Sequence, residues 1–159
     1  KEYGGGSLWD VGCYPISFAR MVVGEEPVAV FGSQVLGPGG SDDSFYGQMR
    51  FRNGIHMQFD SGFKSPFRSY MEIVGTAGVI NIPAPFKPGR KSEIYITRGE
   101  TQEKIKISAN ELYADEVEDM CNAVLNGKTP RVSLLDSRGN IATILAFLQS
   151  AAEGKMVQI

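Results

Sequence analysis

The chain has 159 residues, of which 42% are hydrophobic and 21% are charged, and its 18 acidic and 16 basic side chains give a net charge of −2. This length suits one globular domain with a core of its own. The balanced, well-mixed charge argues against nucleic acid or an anionic membrane surface as a partner. A membrane span is also excluded, because no stretch approaches the ~18 consecutive apolar residues that a spanning helix needs.

The two cysteines, Cys13 and Cys121, lie far apart and neither belongs to a metal-ligand spacing. We therefore predict neither a disulfide framework nor a metal site, and a reducing cytoplasm fits best. The chain begins with Lys1 instead of Met and has no apolar signal core at its start. We expect it to be a fragment of a longer protein.

The first predicted element is a short amphipathic helix over residues 11–23, whose apolar side chains recur at helical spacing. Pro15 falls in its first turn, where a missing N–H is tolerated, and Gly24 supplies a C-terminal stop. A strand is predicted from Val28, followed by a loop of turn-forming residues over 37–43.

Three pairs of alternating apolar and polar segments follow, each joined by a short turn, and they predict antiparallel hairpins. The pairs are 44–52 with 55–63 around Asn53-Gly54, 69–74 with 78–82, and 93–97 with 103–107. The proline-rich segment 83–90 cannot be a central strand. Two helices close the chain, one over 114–125 that stops at Asn126-Gly127 and one that Asp136 caps and that ends near Ala152.

These elements predict an α+β fold with an open, predominantly antiparallel sheet and helices on one face. The other face of the sheet then needs a cover that the chain does not contain. We expect an identical subunit to provide this cover, which makes the protein a homo-oligomer through its sheet face.

The best candidate for chemistry is the glycine run 4–6 and the helix start that follows it, because Asp10 and Tyr14 are four residues apart and share one helical face. A carboxylate and a phenol at one spot can hold a substrate hydroxyl and exchange its proton. Tyrosine needs a nearby cation for this, since its unperturbed pKa is about 10. The alternative is structural, with Asp10 as a helix cap and Tyr14 as a half-buried aromatic. The glycine run does not match a nucleotide-binding motif.

Residues 4–16 and Gly24-Glu25-Glu26-Pro27 resemble the start of the C-terminal domain in the glucose-fructose oxidoreductase, inositol dehydrogenase and MocA (GFO/IDH/MocA) family. The resemblance covers essentially the whole chain. It continues through four further stretches, which are 48–54, 72–78, Tyr113 with 127–130, and 150–154.

The resemblance implies that residues 1–159 form the substrate-binding and oligomerisation domain of an oxidoreductase, whose N-terminal Rossmann domain binds NAD or NADP and is missing here. It implies that Asp10 contacts the substrate or acts as a catalytic acid, and that Tyr14 exchanges the proton. Many members have histidine at the position of Tyr14. Tyrosine there is similar to the branch of glucose-fructose oxidoreductase, dihydrodiol dehydrogenase and xylose dehydrogenase, which implies a sugar or diol substrate. A lysine of the missing domain would lower the pKa of the tyrosine, so we expect the isolated chain to be inactive.

Four other side chains are weaker candidates for substrate binding. Trp9 can stack on a sugar ring or pack at a domain junction, and Phe63, Lys64 and Arg68 can wall a sugar site or form a solvated turn. The single histidine, His56, is assigned no role. The alternative function is a non-catalytic module, for sheet-mediated oligomerisation or for sugar binding.

Overall fold

The computed structural model describes residues 5–108 and 111–159, so Gly4 of the predicted glycine turn lies outside the described residues. The chain divides into two compact units, one comprising residues up to Ser65 together with Val132–Ile159 and the other Pro66–Arg131. The α+β class is confirmed. The strands form two four-stranded antiparallel sheets, whereas the sequence pattern predicted a single sheet.

The helices and the first seven strands follow one another in the predicted order, and a short final strand that the sequence did not predict comes after the last helix. In chain order they are a π-helical turn Leu8–Gly12, α1 Cys13–Val23, β1 Ala29–Leu36, β2 Asp42–Arg50, β3 His56–Gly62, β4 Met71–Gly75, β5 Gly78–Ile82, β6 Lys91–Arg98, β7 Thr101–Ser108, α2 Ala114–Asn126, α3 Leu134–Glu153 and β8 Val157–Gln158. The first unit contains the sheet β3-β2-β1-β8, and the second unit contains β4-β5-β6-β7.

The predicted first helix is present, but its helical backbone begins three residues earlier than expected, at Leu8. A π-helical hydrogen bond spans one residue more than an α-helical one, and this turn leads directly into α1. Gly24 ends α1 as predicted, because its φ of 75° is open to glycine and its N–H donates to the carbonyl of Arg20 at 2.8 Å.

The hairpin around Asn53-Gly54 is confirmed, although the connection is longer than the predicted two residues. It runs from Phe51 to Ile55 and is closed by a hydrogen bond from the Phe51 N–H to the Ile55 carbonyl at 2.9 Å. The Asn53 side chain accepts from the Ile55 N–H at 3.2 Å, and Gly54 supplies a φ of 83°.

The core of the first unit centres on three aromatic rings. Phe147 of α3 meets Phe45 and Phe59 edge to face, with ring centroids 5.7 and 5.3 Å apart. The rings fit because Gly32 and Gly47 face each other across β1 and β2. A Cβ on Gly32 would lie 2.7 Å from Phe45, and one on Gly47 would collide with the Phe59 ring. The two glycines therefore let α3 approach the sheet closely.

Helix α3 lies against β1, and the structure corrects its predicted cap. Ser133 is the N-cap, because its hydroxyl accepts from the Asp136 N–H at 3.0 Å. Asp136 sits in the first turn, where a carboxylate favours the positive end of the helix dipole. Near the other end of α3, the buried Ser150 hydroxyl accepts from the N–H of Gly32 at 2.9 Å and so ties the helix to β1.

The second unit is a sheet with one isoleucine-rich face. The register pairs Ile73 with Ile80, Ile80 with Ile96, and Ile94 with Ile105, so these side chains share one side of the sheet. Helix α2 ends at Gly127, whose φ of 63° is the predicted stop.

Candidate functional site

The two predicted catalytic residues lie on the helical segment that opens the first unit. Asp10 belongs to the π-helical turn and Tyr14 to the first turn of α1. Both are exposed, with Tyr14 at 53% exposure. Because Ser7, and not Asp10, is the N-cap residue of the helical segment, the alternative of Asp10 as a helix cap is wrong.

The opposite side of this segment is packed into the core, and the pattern of small and apolar residues explains why. Leu8, Gly12 and Ile16 follow one another at a spacing of four and are all buried. A Cβ on Gly12 would lie 3.0 Å from Leu8 and 3.3 Å from the Ser61 hydroxyl, so the segment lies close against β3. Burial of this side leaves Asp10 and Tyr14 on the exposed side.

The start of the segment is held by a buried carboxylate that the sequence reasoning did not single out. Asp42 is 4% exposed, and its Oδ2 accepts from the Ser7 hydroxyl at 2.7 Å and from the Leu8 N–H at 2.8 Å. The Ser7 hydroxyl also lies 3.1 Å from that of Ser61. Residue 42 stood in a loop of turn-forming residues, so its role depended on a contact 34 positions away along the chain.

The end of α1 is held by the ion pairs of a buried arginine. The Arg20 guanidinium, whose side chain is 4% exposed, contacts Glu26 at 2.7 and 2.5 Å and Asp136 of α3 at 3.2 Å. Its hydrogen bonds hold the pKa of Glu26 below the usual value, and the same bonds raise the pKa of Arg20 further. Both ends of the candidate segment are thus fixed by polar contacts.

Cys13 lies between the two candidate residues and packs partly against the core. Burial, with a smaller contribution from the negative charge of Asp10, raises the pKa of its thiol. The shift favours the neutral thiol over the thiolate.

The four weaker candidates are not gathered at one place within either unit. Trp9 is partly buried against the core of the first unit, beside Gly5. Phe63 is half exposed, and Lys64 forms an ion pair with Asp43 at 3.7 Å. Arg68 belongs to the second unit.

An open groove beside the start of α2 is a separate feature of the second unit. Leu112, Tyr113, Val117 and Cys121 are among the residues that line it, and none of the candidate site residues does. Within residues 5–108 and 111–159, no group of three or more His, Cys, Asp and Glu side chains is arranged to hold a metal ion. The helices in these ranges are also too short or too polar to cross a membrane.

Comparison with known proteins finds that the chain is similar to several oxidoreductases. D-xylose 1-dehydrogenase (NADP(+)) 2 of Haloferax volcanii is 29% identical over 161 residues, a match that covers 99% of this chain and 49% of that protein. Trans-1,2-dihydrobenzene-1,2-diol dehydrogenase of Xenopus laevis is 30% identical over 91% of this chain and 46% of its own length. The chain thus spans about half the length of these relatives.

The fold is also similar to that of a solved oxidoreductase. The crystal structure of aldose-aldose oxidoreductase from Caulobacter crescentus, complexed with glycerol, matches with a TM-score of 0.85 and 25% identity over 98% of this chain and 48% of that one. The sequence pattern of the GFO/IDH/MocA C-terminal domain matches residues 1–81. The chain therefore belongs to the GFO/IDH/MocA family, as its C-terminal domain.

Proposed function

We propose that the chain is the substrate-facing half of an NAD(P)-dependent oxidoreductase that acts on a hydroxyl group of a sugar or diol. The observation that carries this proposal is the exposure of Asp10 and Tyr14 on one side of a helical segment whose other side is buried. A purely structural role for these residues predicts the opposite, that both are buried against the sheet. Family membership and the names of the relatives support the reaction class and the substrate class.

The chemistry assigned to this chain is the handling of a proton. Oxidation of an alcohol removes a hydride from carbon and a proton from oxygen, and the nicotinamide supplies the hydride acceptor when it is bound. The Tyr14 oxygen takes the proton from the substrate hydroxyl and returns it in the reverse reaction. The Asp10 carboxylate accepts a hydrogen bond from the substrate and so orients the reacting carbon.

The strands described in residues 5–108 and 111–159 do not form a dinucleotide cradle. Every described strand pair is antiparallel, whereas dinucleotide cradles are built on parallel strands joined by a helix. We assign the binding of NAD or NADP to the part of the protein outside this chain, together with the cation that Tyr14 needs to reach a useful pKa.

The four weaker candidates remain predictions for substrate binding. Trp9 is the nearest of them in sequence to Asp10, and its partly exposed ring suits stacking on a sugar. Phe63 and Lys64 belong to the same unit as Asp10 and Tyr14, and Arg68 belongs to the other unit.

We also infer a homo-oligomer that uses the outer face of the first sheet. Phe31, Val35 and Tyr46 are exposed there, and the register places Tyr46 beside Ser33, between the other two along β1. An apolar patch of this kind on a sheet face favours association with a copy of itself. The free thiols Cys13 and Cys121 suit a cytoplasmic location.

The test is the turnover of the full-length protein with NAD and NADP and a panel of aldoses and vicinal diols, for wild type and Tyr14→Phe. Removal of the hydroxyl should lower kcat by about 10²–10⁴-fold, the usual contribution of general acid–base catalysis. Tyr70→Phe is the matched control, since Tyr70 is similarly exposed at 65% and lies in the second unit. Equal activity of the two variants would contradict the role of Tyr14, and tight self-association without turnover would favour the non-catalytic module.

A further inference from the structure

The buried carboxylate of Asp42 owes its position to an irregularity in the sheet. Val35 pairs with Ser44, but Leu36 pairs with Asp42, so Asp43 is an extra residue in β2 without a partner in β1. An extra residue shifts the alternation of side chains by one, and such bulges re-aim a side chain. Asp42 therefore lies on the inner side of the sheet with Phe45, and Asp43 forms an ion pair with Lys64.

On this inner side Asp42 takes the place of a helix cap. The Leu8 N–H opens the π-helical turn, and the side chain of Ser7 makes no cap hydrogen bond of its own to the turn. The first N–H groups of a helix have no partner within it and need one from elsewhere. Asp42 accepts from the Leu8 N–H at 2.8 Å and from the Ser7 hydroxyl at 2.7 Å, both on the same oxygen.

The backbone before Asp10 is in close contact with the Asp42 side chain. A Cβ on Gly6 would collide with the Asp42 side chain, so the chain passes directly against it. The carbonyl of the same Gly6 accepts the Asp10 N–H at 3.1 Å. Asp42 therefore contacts the segment on both sides of Ser7, and a single hydrogen bond connects that contact to the backbone of Asp10.

We propose that Asp42 is a positioning residue for the reaction, which holds the π-helical turn in the register that presents Asp10 and Tyr14 to the substrate. The proposal rests on the proposed function of that segment. Asp42 is buried beneath the turn and does not itself contact the substrate. Its contribution is to geometry, and a displacement of about 1 Å at a reacting group can cost ~10²-fold in rate.

The geometry predicts different outcomes for two substitutions of Asp42. Because both donors bind one oxygen, the amide oxygen of Asn can accept from both, and Asp42→Asn retains the contact without the charge. Asp42→Ala removes the oxygen to which the Leu8 N–H and the Ser7 hydroxyl donate. A role that needs only geometry predicts rescue by Asn.

Ser150→Ala controls for a general loss of stability. The Ser150 side chain is fully buried in the same unit, accepts from the Gly32 N–H at 2.9 Å and donates to the Lys155 carbonyl at 2.5 Å. Its removal also deprives a buried backbone N–H of its partner, but it acts between α3 and β1 and not on the π-helical turn.

The experiment compares kcat, KM and amide hydrogen exchange in the full-length protein for wild type and the Asp42→Ala, Asp42→Asn, Ser150→Ala and Tyr14→Phe variants. Asp42→Ala should lower kcat by about 10–100-fold with a smaller change in KM, because the reacting groups are displaced while most substrate contacts persist. Asp42→Asn and Ser150→Ala should stay within about threefold of wild type, which is less than 1 kcal/mol in barrier. Amides at residues 8–12 should exchange faster in Asp42→Ala and not in Ser150→Ala.

The outcomes separate this proposal from the function on which it rests. Turnover in Tyr14→Phe equal to wild type would refute the proposed function, and with it the catalytic purpose of Asp42. An inactive Tyr14→Phe beside an Asp42→Ala variant no more impaired than Ser150→Ala would overturn the positioning role alone. Unchanged exchange at residues 8–12 in Asp42→Ala would overturn it as well.

Discussion

The ion-pair cluster at the end of α1 predicts an asymmetry between its partners. Arg20 is buried, with its side chain 4% exposed, whereas the Glu26 and Asp136 side chains are 56% and 43% exposed. Desolvation is therefore concentrated on the guanidinium, and Arg20 Nη1 is buried without a hydrogen-bond partner. Removing Glu26 or Asp136 leaves the buried guanidinium charge with fewer partners. Replacing the arginine instead leaves two carboxylates that water can reach.

The magnitudes follow from this difference. Glu26→Ala removes two charge-assisted hydrogen bonds from Arg20. Breaking a buried pair costs about 3–5 kcal/mol, and the exposure of Glu26 reduces this to about 2–3 kcal/mol. Arg20→Met keeps most of the buried stem volume and should cost less than ~1 kcal/mol.

Hydrogen exchange of the amides in α1 and α3 of the full-length protein measures the opening free energy of this region and so checks the order of the two variants. Asp119→Ala serves as the control, because Asp119 forms its ion pair with the exposed side chain of Arg131 in the second unit. A larger loss for Arg20→Met than for Glu26→Ala would refute the reasoning, since it would mean that the buried charge itself stabilises the fold.

The same pair predicts a dependence on pH with a defined sign. The folded-state pKa of Glu26 lies below its usual value near 4.5, first because Arg20 donates hydrogen bonds to the ionised form. The stabilisation is therefore fully present above that usual value and is lost as the pH falls through the folded-state pKa. Arg20→Met should remove this part of the acid sensitivity of α1 and α3.

Two further substitutions test the packing and the capping of α3. Phe147→Ala removes a fully buried ring that two other rings meet edge to face. It should lower the free energy of unfolding of the first unit by about 3–5 kcal/mol in the same exchange measurement. A loss smaller than that of Ser133→Ala would contradict the described core. Ser133→Ala removes the N-cap of α3 and should cost about 1 kcal/mol, seen as faster exchange at the Asp136 amide, whereas no change there would show that the cap is not formed.

The sequence by itself determined the order and type of the elements, because these follow from local patterns. Apolar spacing predicted the helices, alternation predicted the strands, and Gly24, Gly54 and Gly127 marked ends and turns that need a positive φ. The candidate pair Asp10 and Tyr14 was also accessible from sequence, since residues four apart on a helix share one side.

Tertiary structure alone decided what depends on contacts between distant residues. The division of the strands into two sheets was not visible, because alternation gives the faces of a strand but not its neighbours. Asp42 stood in a predicted loop, and only the bulge in β2 turns it towards Leu8. The burial of Arg20 likewise required α3 to lie against α1, which brings in Asp136 from 116 positions further along the chain. Local patterns carry no information on such pairings, because a hydrogen bond or ion pair depends on distance in space and not on separation in sequence.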